Sequence, residues 1–107
     1  MPRLKFQTLT EQMFYILLCL KSECCGMDVM ERVRQMTAGR VQVGSGTLYT
    51  LLEQFLEAGM IRETGSEGRR KNYCLTDKGR EALEKEVERL EVQMADFRRV
   101  FCEEDTK

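Results

Sequence analysis

The stretch from Val43 to Leu75 constrains the fold more than any other. Val43-Gly44-Ser45-Gly46-Thr47-Leu48-Tyr49 opens a helix on small polar residues, and Leu48, Leu51, Leu52 and Phe55 then recur at the spacing of one buried helical face. Ala58-Gly59 closes it, glycine being the residue type that accepts a left-handed conformation at a helix C-terminus. Met60-Ile61-Arg62-Glu63-Thr64 follows at once, then a loop holding Gly65 and Gly68, then Arg69-Arg70-Lys71-Asn72-Tyr73-Cys74-Leu75. A helix that drops directly into a basic-tipped hairpin is the sequence form of a winged helix-turn-helix. Such a form points to DNA.

The rest of the chain supplies the remaining helices. Thr8-Leu9-Thr10-Glu11 has the spacing of a capping box, with Thr8 as N-cap, and a first helix is expected from there to about Lys21. Cys24-Cys25-Gly26 breaks it, and Met27, Met30, Val33 and Met36 mark one face of a second helix that Gly39 stops. Arg40-Val41-Gln42-Val43 reads as a short, β-leaning connection. Thr76 and Asp77 suit the start of a last helix, the one as cap and the other against the helix dipole. Nothing breaks that helix before about Cys102. Its apolar residues Leu83, Val87, Leu90, Met94, Phe97 and Phe101 are separated by 4, 3, 4, 3 and 4 positions, a heptad seam. A seam this long has no partner inside so small a chain, so a second copy is expected to cover it. The expected fold is mainly α with a β-hairpin wing: a winged helix-turn-helix over residues 1–76 plus a C-terminal dimerisation helix over 77–107.

Charge is informative in its distribution. The whole chain carries 17 basic and 18 acidic residues, which advertises no polyanionic partner. Yet Arg62 to Arg80 holds six bases against three acids, and the segment from Glu81 onward holds nine acids against five bases. A basic middle on an otherwise acidic body fits a local DNA-facing patch. The apolar run Met13 to Leu20 is far shorter than the ~20 residues that span a bilayer, so no membrane partner is expected. Five cysteines without a CxxC pair, and no secretion signal, imply reduced thiols and a cytoplasmic location. With no histidine, no nucleophile motif and no clustered ligand spacing, no catalytic residue, cofactor or metal site is expected. Cys24-Cys25 invites a redox reading, but free cysteines more often behave as small buried apolar residues. Glu86 and Glu88 read as a solvated helix surface.

These residues resemble the PadR family of bacterial transcriptional regulators, in particular its short members with a single C-terminal helix. The resemblance runs from about Leu9 to about Leu90. It rests on Gly26, Gly46-Thr47-Leu48-Tyr49, Gly59, Ile61 and Tyr73-x-Leu75-Thr76-x-x-Gly79, in that order. The chain departs at Ser45 and Thr50, where the family often has proline, and at Met27, where it often has an aromatic residue. The resemblance implies that Thr47 and Tyr49 lie at the DNA face. It also implies dimerisation through crossed last helices that pack on the partner's first helix, a role open to Met13 to Leu18. Some short relatives hold flat aromatic molecules between tryptophans at the dimer interface. This chain has none, so a small aromatic effector stacked on Phe97 and Phe101 stays open beside the favoured reading of both as seam residues.

The candidate double-stranded DNA contacts are therefore Gln42, Ser45, Gly46, Thr47, Tyr49 and Thr50 on the third helix and its approach, and Arg69, Arg70 and Lys71 on the wing. The helix start offers unpaired N–H groups and hydroxyl donors to phosphate, and arginine at a wing tip suits a narrow minor groove. The candidate dimer interface is Leu83, Val87, Leu90, Met94, Phe97 and Phe101. In a parallel pair Glu86 would face the partner's Glu91, whereas an antiparallel crossing brings Glu84 toward the partner's Arg98, which favours the latter. The expected function is a homodimeric, sequence-specific transcriptional regulator on a pseudo-palindromic operator, most simply a repressor. The alternative is a winged-helix protein–protein interaction module that does not bind DNA.

Overall fold

A computed structural model describes residues 8–68 and 70–105. The element order is α1 (Glu11–Cys19), β1 (Cys24–Cys25), α2 (Gly26–Met36), α3 (Ser45–Glu57), β2 (Ile61–Glu67), β3 (Arg70–Leu75) and α4 (Asp77–Asp105). The three strands form one antiparallel sheet in the order β1-β3-β2. This is the winged helix-turn-helix with a long C-terminal helix that the hydrophobic spacing predicts, with a third strand added. Cys24 and Cys25 pair with Tyr73 and Asn72, so the segment read as a helix breaker also covers the free edge of β3. Two residues are too few for an alternating pattern to show.

The core is built where α1, α2 and α3 meet the sheet. Phe55, Ile16, Leu17, Leu20, Leu48, Leu52, Val29 and Val33 are its largest fully buried side chains. The apolar face expected for α3 is therefore the one that packs. On α2 the expected face holds in part: Val33 is buried and Met30 packs on the core, but Met27 and Met36 are exposed and Val29 is buried instead. Met27 and Met36 follow the three-residue spacing, but Val29 and Val33 stand one turn apart on the stripe that meets α1 and α3.

Local chemistry explains the helix ends. The N-cap of α1 is Thr10, whose hydroxyl accepts from Met13 N–H at 3.2 Å, and not Thr8. Leu9 is buried and its N–H donates to the Glu86 carboxylate, so the chain can turn into a helix only after it. Glu11 faces Arg40 rather than reaching back along the helix. The end of α3 is a Schellman motif: Met60 N–H donates to Phe55 O, Gly59 N–H donates to Leu56 O, and Gly59 sits at φ +77°. The end of α2 uses the same pair of bonds, from Gly39 to Arg34 and from Ala38 to Gln35, but with alanine at φ +53°. The connection from Arg40 to Val43 belongs to no strand; Val41 and Val43 are buried and pin it to the core.

Thr76 caps α4 as expected, accepting from Gly79 N–H at 3.1 Å while its own hydroxyl donates to Gly59 O at 2.6 Å. A side chain at Gly79 would put a Cβ 2.1 Å from the Met60 carbonyl oxygen, so this junction admits only glycine. Gly65, expected in the hairpin loop, instead lies inside β2 at a register shift between Glu63 and Gly65, whereas Gly68 opens the turn at φ +61°.

Only the first turns of α4 touch the body. Leu83 and Glu86 are buried there, and every residue from Val87 to Cys102 is exposed. The whole helix is a rod of 29 residues, about 43 Å at 1.5 Å per residue. The Cα radius of gyration is accordingly 16.4 Å, against about 13 Å for a compact chain of this length. No helix among the described residues is long and apolar enough to cross a membrane.

Candidate nucleic-acid interface

The first turn of α3 stands out from the body because the residues before it are anchored. Val41 and Val43 are buried, and Gln12 Nε2 donates to Gln42 O at 3.3 Å. The Gln42 side chain is exposed and turns back to donate to Gly39 O at 3.4 Å. Gly44 is the N-cap and supplies no side-chain cap, so the first N–H groups of α3 are free of intrahelical partners. Ser45, Gly46 and Thr47 are exposed beside them. Hydroxyls and N–H groups thus converge on one small, electropositive surface.

Tyr49 and Thr50 continue that face along the helix. Tyr49 is 46% exposed, so it is not a core residue, yet its ring is held in place from behind. A Cβ built on Gly26 would lie 3.0 Å from the ring and the hydroxyl of Tyr49, so glycine at the start of α2 is what lets the phenol end of Tyr49 approach so closely.

The wing supplies the second half. Arg70 and Lys71 are exposed on β3 and line the same cleft as Tyr49 and Thr50. The Arg70 guanidinium, beside the turn of the wing, donates from Nη2 to Cys25 Sγ at 3.4 Å, which ties that end of β3 to β1. Thr64, at the bulge of β2, donates to Glu23 at 2.5 Å and anchors the wing a second time. Arg69 lies outside the described residues. Gln42, Ser45, Gly46 and Thr47 cluster at one end of α3 with Tyr49 and Thr50 next to them, and Arg70 and Lys71 flank the latter pair.

Several residues at this surface were not singled out from the sequence. Met27, Glu53, Glu63 and Tyr73 line the cleft between α3 and the wing. Only the pairing of Glu63 with Tyr73 across the hairpin could have suggested it. Arg40 is a further cation nearby, but it is engaged by Glu11 and Tyr15, with its guanidinium 5.8 Å from the Tyr15 ring centre.

The seam residues divide. Leu83 is buried in the core, while Val87, Leu90, Met94, Phe97 and Phe101 remain exposed, and Val92 and Val100 join them. Phe97 and Phe101 stack on each other at 4.4 Å between centroids. On α1, Leu18 is the exposed apolar residue. Glu86, read as surface charge, is buried: it accepts from Leu9 N–H at 3.2 Å and from Arg89 Nε at 3.1 Å, and the Arg89 contact holds its carboxyl below the usual range. It is therefore not the free charge that the argument against a parallel pair assumed.

Burial raises the thiol of Cys19 and pushes that of Cys24 up to about 11, so both stay protonated at neutral pH. All five cysteines are free, and no group of three or more His, Cys, Asp or Glu among the described residues could hold a metal ion.

Known proteins place this architecture. No curated protein matches the chain. A PadR family regulator from Eggerthella lenta superposes with a TM-score of 0.73 at 18% identity, over 84% of this chain and 80% of that one. A transcriptional regulator from Clostridium thermocellum gives 0.70 at 19% identity, over 83% and 90%. Bacillus subtilis PadR, solved in complex with operator DNA, gives 0.60 at 24% identity, over 72% of this chain but 46% of that longer one. These likenesses establish a shared fold. The family model for the transcriptional regulator PadR-like family matches residues 16–85, which spans the three-helix core, the wing and the start of α4, and the chain belongs to that family.

Proposed function

We propose that this regulator binds duplex DNA sequence-specifically as a homodimer, on a pseudo-palindromic operator, and represses by occupying it. One observation carries the reading: the exposed outer face of α3 and the basic strand of the wing line a single cleft, so a duplex can meet both at once. The N-terminal turn of α3 offers free N–H groups and the hydroxyls of Ser45 and Thr47. Phosphate contacts there would set register, while Tyr49 and Thr50, and Gln42 once it leaves Gly39 O, would reach base edges. The Bacillus subtilis PadR complex with operator DNA supports the same use of a shared fold.

Dimerisation falls to the exposed half of α4. Five seam residues on a rod that leaves the body make a surface of a kind that isolated soluble chains rarely carry. An antiparallel crossing of two such rods would place two α3 helices and two wings on one duplex. Residues 1–76 then serve DNA and 77–107 serve assembly, apart from Leu83 and Glu86, which bind the two parts together. The family is one of regulators, and no catalytic role is assigned.

The test is the salt dependence of binding. Arg69, Arg70 and Lys71 in two copies can neutralise about six phosphates, for a slope of log K against log salt near −5. Replacing all three with alanine should remove most of that slope in an anisotropy titration on a mixed-sequence duplex. An unchanged slope would instead favour the protein–protein interaction module.

A further inference from the structure

The cleft between the start of α2, the outer face of α3 and the sheet has a volume of about 670 Å³, within the ~300–1,000 Å³ typical of small-molecule sites. Met27, Leu52, Leu56 and the ring of Tyr49 give it apolar walls. Tyr73 enters it from β3, Glu63 from β2 and Glu53 from α3.

Tyr73 is the informative residue. Its side chain is buried to 6% exposure, yet among the described residues its hydroxyl has no hydrogen-bond partner. A buried phenol ordinarily finds one. No side-chain polar atom among the described residues is both fully shielded and unpaired, so this hydroxyl opens onto the cleft. Glu63 and Tyr73 are Cα partners across the hairpin, which projects carboxylate and phenol from the same face of the sheet. Burial, with Glu63 and Tyr49 adding to it, raises the Tyr73 phenol, so it keeps its proton at neutral pH.

The four charged groups that line the cleft are all exposed. Glu63 stands directly opposite Tyr73 across the hairpin, and Glu53 borders the cleft from α3. Of the two bases, Arg70 is drawn onto Cys25 Sγ, and Lys71 is exposed on β3. The charge set opposite the Tyr73 phenol is thus a carboxylate, which suits a positively charged hydrogen-bond donor better than an anion.

We propose that this cleft binds a small organic amine, a protonated amino group on a compact apolar body, and that its occupancy competes with DNA. The ammonium lies between the Glu63 carboxylate and the Tyr73 hydroxyl, with the face of Tyr49 within cation–π reach, and the body packs on Met27, Leu52 and Leu56. Competition is steric, because Tyr49, Thr50, Arg70 and Lys71 border the same cleft. That second half rests on the DNA reading above; amine binding itself does not.

The experiment titrates the intact protein with 2-phenylethylamine. The chain has no tryptophan, and two of its three tyrosines, Tyr49 and Tyr73, line the cleft, so a ligand there should change the intrinsic fluorescence. A saturable change is expected, with 3-phenylpropionate, of similar size and opposite charge, binding at least tenfold more weakly. Glu63→Gln and Tyr73→Phe should each weaken the amine about tenfold, a loss of ~1.4 kcal/mol, with an unchanged melting curve. The phenylalanine variant is expected to fold because the lost hydroxyl has no protein partner. No saturation by tens of millimolar, an equal response to the carboxylate, or two indifferent variants would each overturn the proposal. Amine should also displace a bound duplex from the parent, and from Glu63→Gln only at about tenfold higher amine; displacement at equal concentration from both overturns the competition. A protein that binds amine but no duplex would sink the DNA reading alone.

Discussion

Replacing Glu86 tests the join between the α4 rod and the rest of the protein. Its carboxylate is buried and accepts from the N–H of Leu9, itself a buried residue, and from Arg89. Glu86→Ala leaves that N–H without an acceptor, at about 1–3 kcal/mol, and removes packed methylene groups worth about 0.8 kcal/mol each. The expected loss is about 2–4 kcal/mol, a large share of the ~5–15 kcal/mol that holds a domain folded. Urea unfolding at fixed protein concentration should show it as a midpoint lower by about 1–2 M. Glu86→Gln keeps an acceptor for Leu9 and loses only the charge, so it should cost less. The gap between parent and Glu86→Gln isolates the ionised form. The folded carboxyl lies below its ordinary value, chiefly through the hydrogen bond from Arg89. Its stabilisation is therefore fully present above the unfolded value, about pH 4.3, and is lost as pH falls through the folded value. The gap should hold from pH 7 to about pH 5 and close below that. An alanine variant within 0.5 kcal/mol of the parent, or a glutamine gap that ignores pH, would refute the argument.

Three further outcomes are expected. Leu90→Glu puts a charge in the middle of the exposed seam and should give monomers in sedimentation, since burying an unpaired charge is costly; an equally tight dimer would remove the seam from consideration. Ala38→Gly relieves a left-handed alanine at the end of α2 and should stabilise by about 0.5–1 kcal/mol in thermal unfolding, the left-handed strain outweighing the added chain entropy. In the native protein a disulfide-exchange reagent should modify exposed Cys102 first and leave buried Cys19 and Cys24 slow, because their raised thiols carry little thiolate; a fast phase that survives the double replacement of Cys102 and part-exposed Cys74 by serine would contradict this.

Periodicity and end signals made most of the fold legible from the residues. The buried stripe of α3, the left-handed Gly59, the cap at Thr76 and the unbroken run to α4's end all depend on local chemistry, and local chemistry is written in neighbouring residues. The exposed positions at the start of α3 were legible for the same reason, because they are the complement of the buried stripe.

Other features depended on contacts between distant segments, and no spacing encodes those. The inward face of α2 is set by where α1 and α3 lie, which turned Met27 and Met36 outward. The start of α1 is set by Leu9 meeting Glu86, 77 positions away, and that same contact converts a surface-looking glutamate into a buried one. The body covers α4 only as far as Glu86, which is why Leu83 belongs to the core and Val87 onward stands free. The cleft at Tyr73 exists only because the hairpin register sets Glu63 beside it and the helices bring Met27 and Tyr49 over it. Sequence decides which residues can form an element and which face can be buried; packing decides which of those faces finds a neighbour.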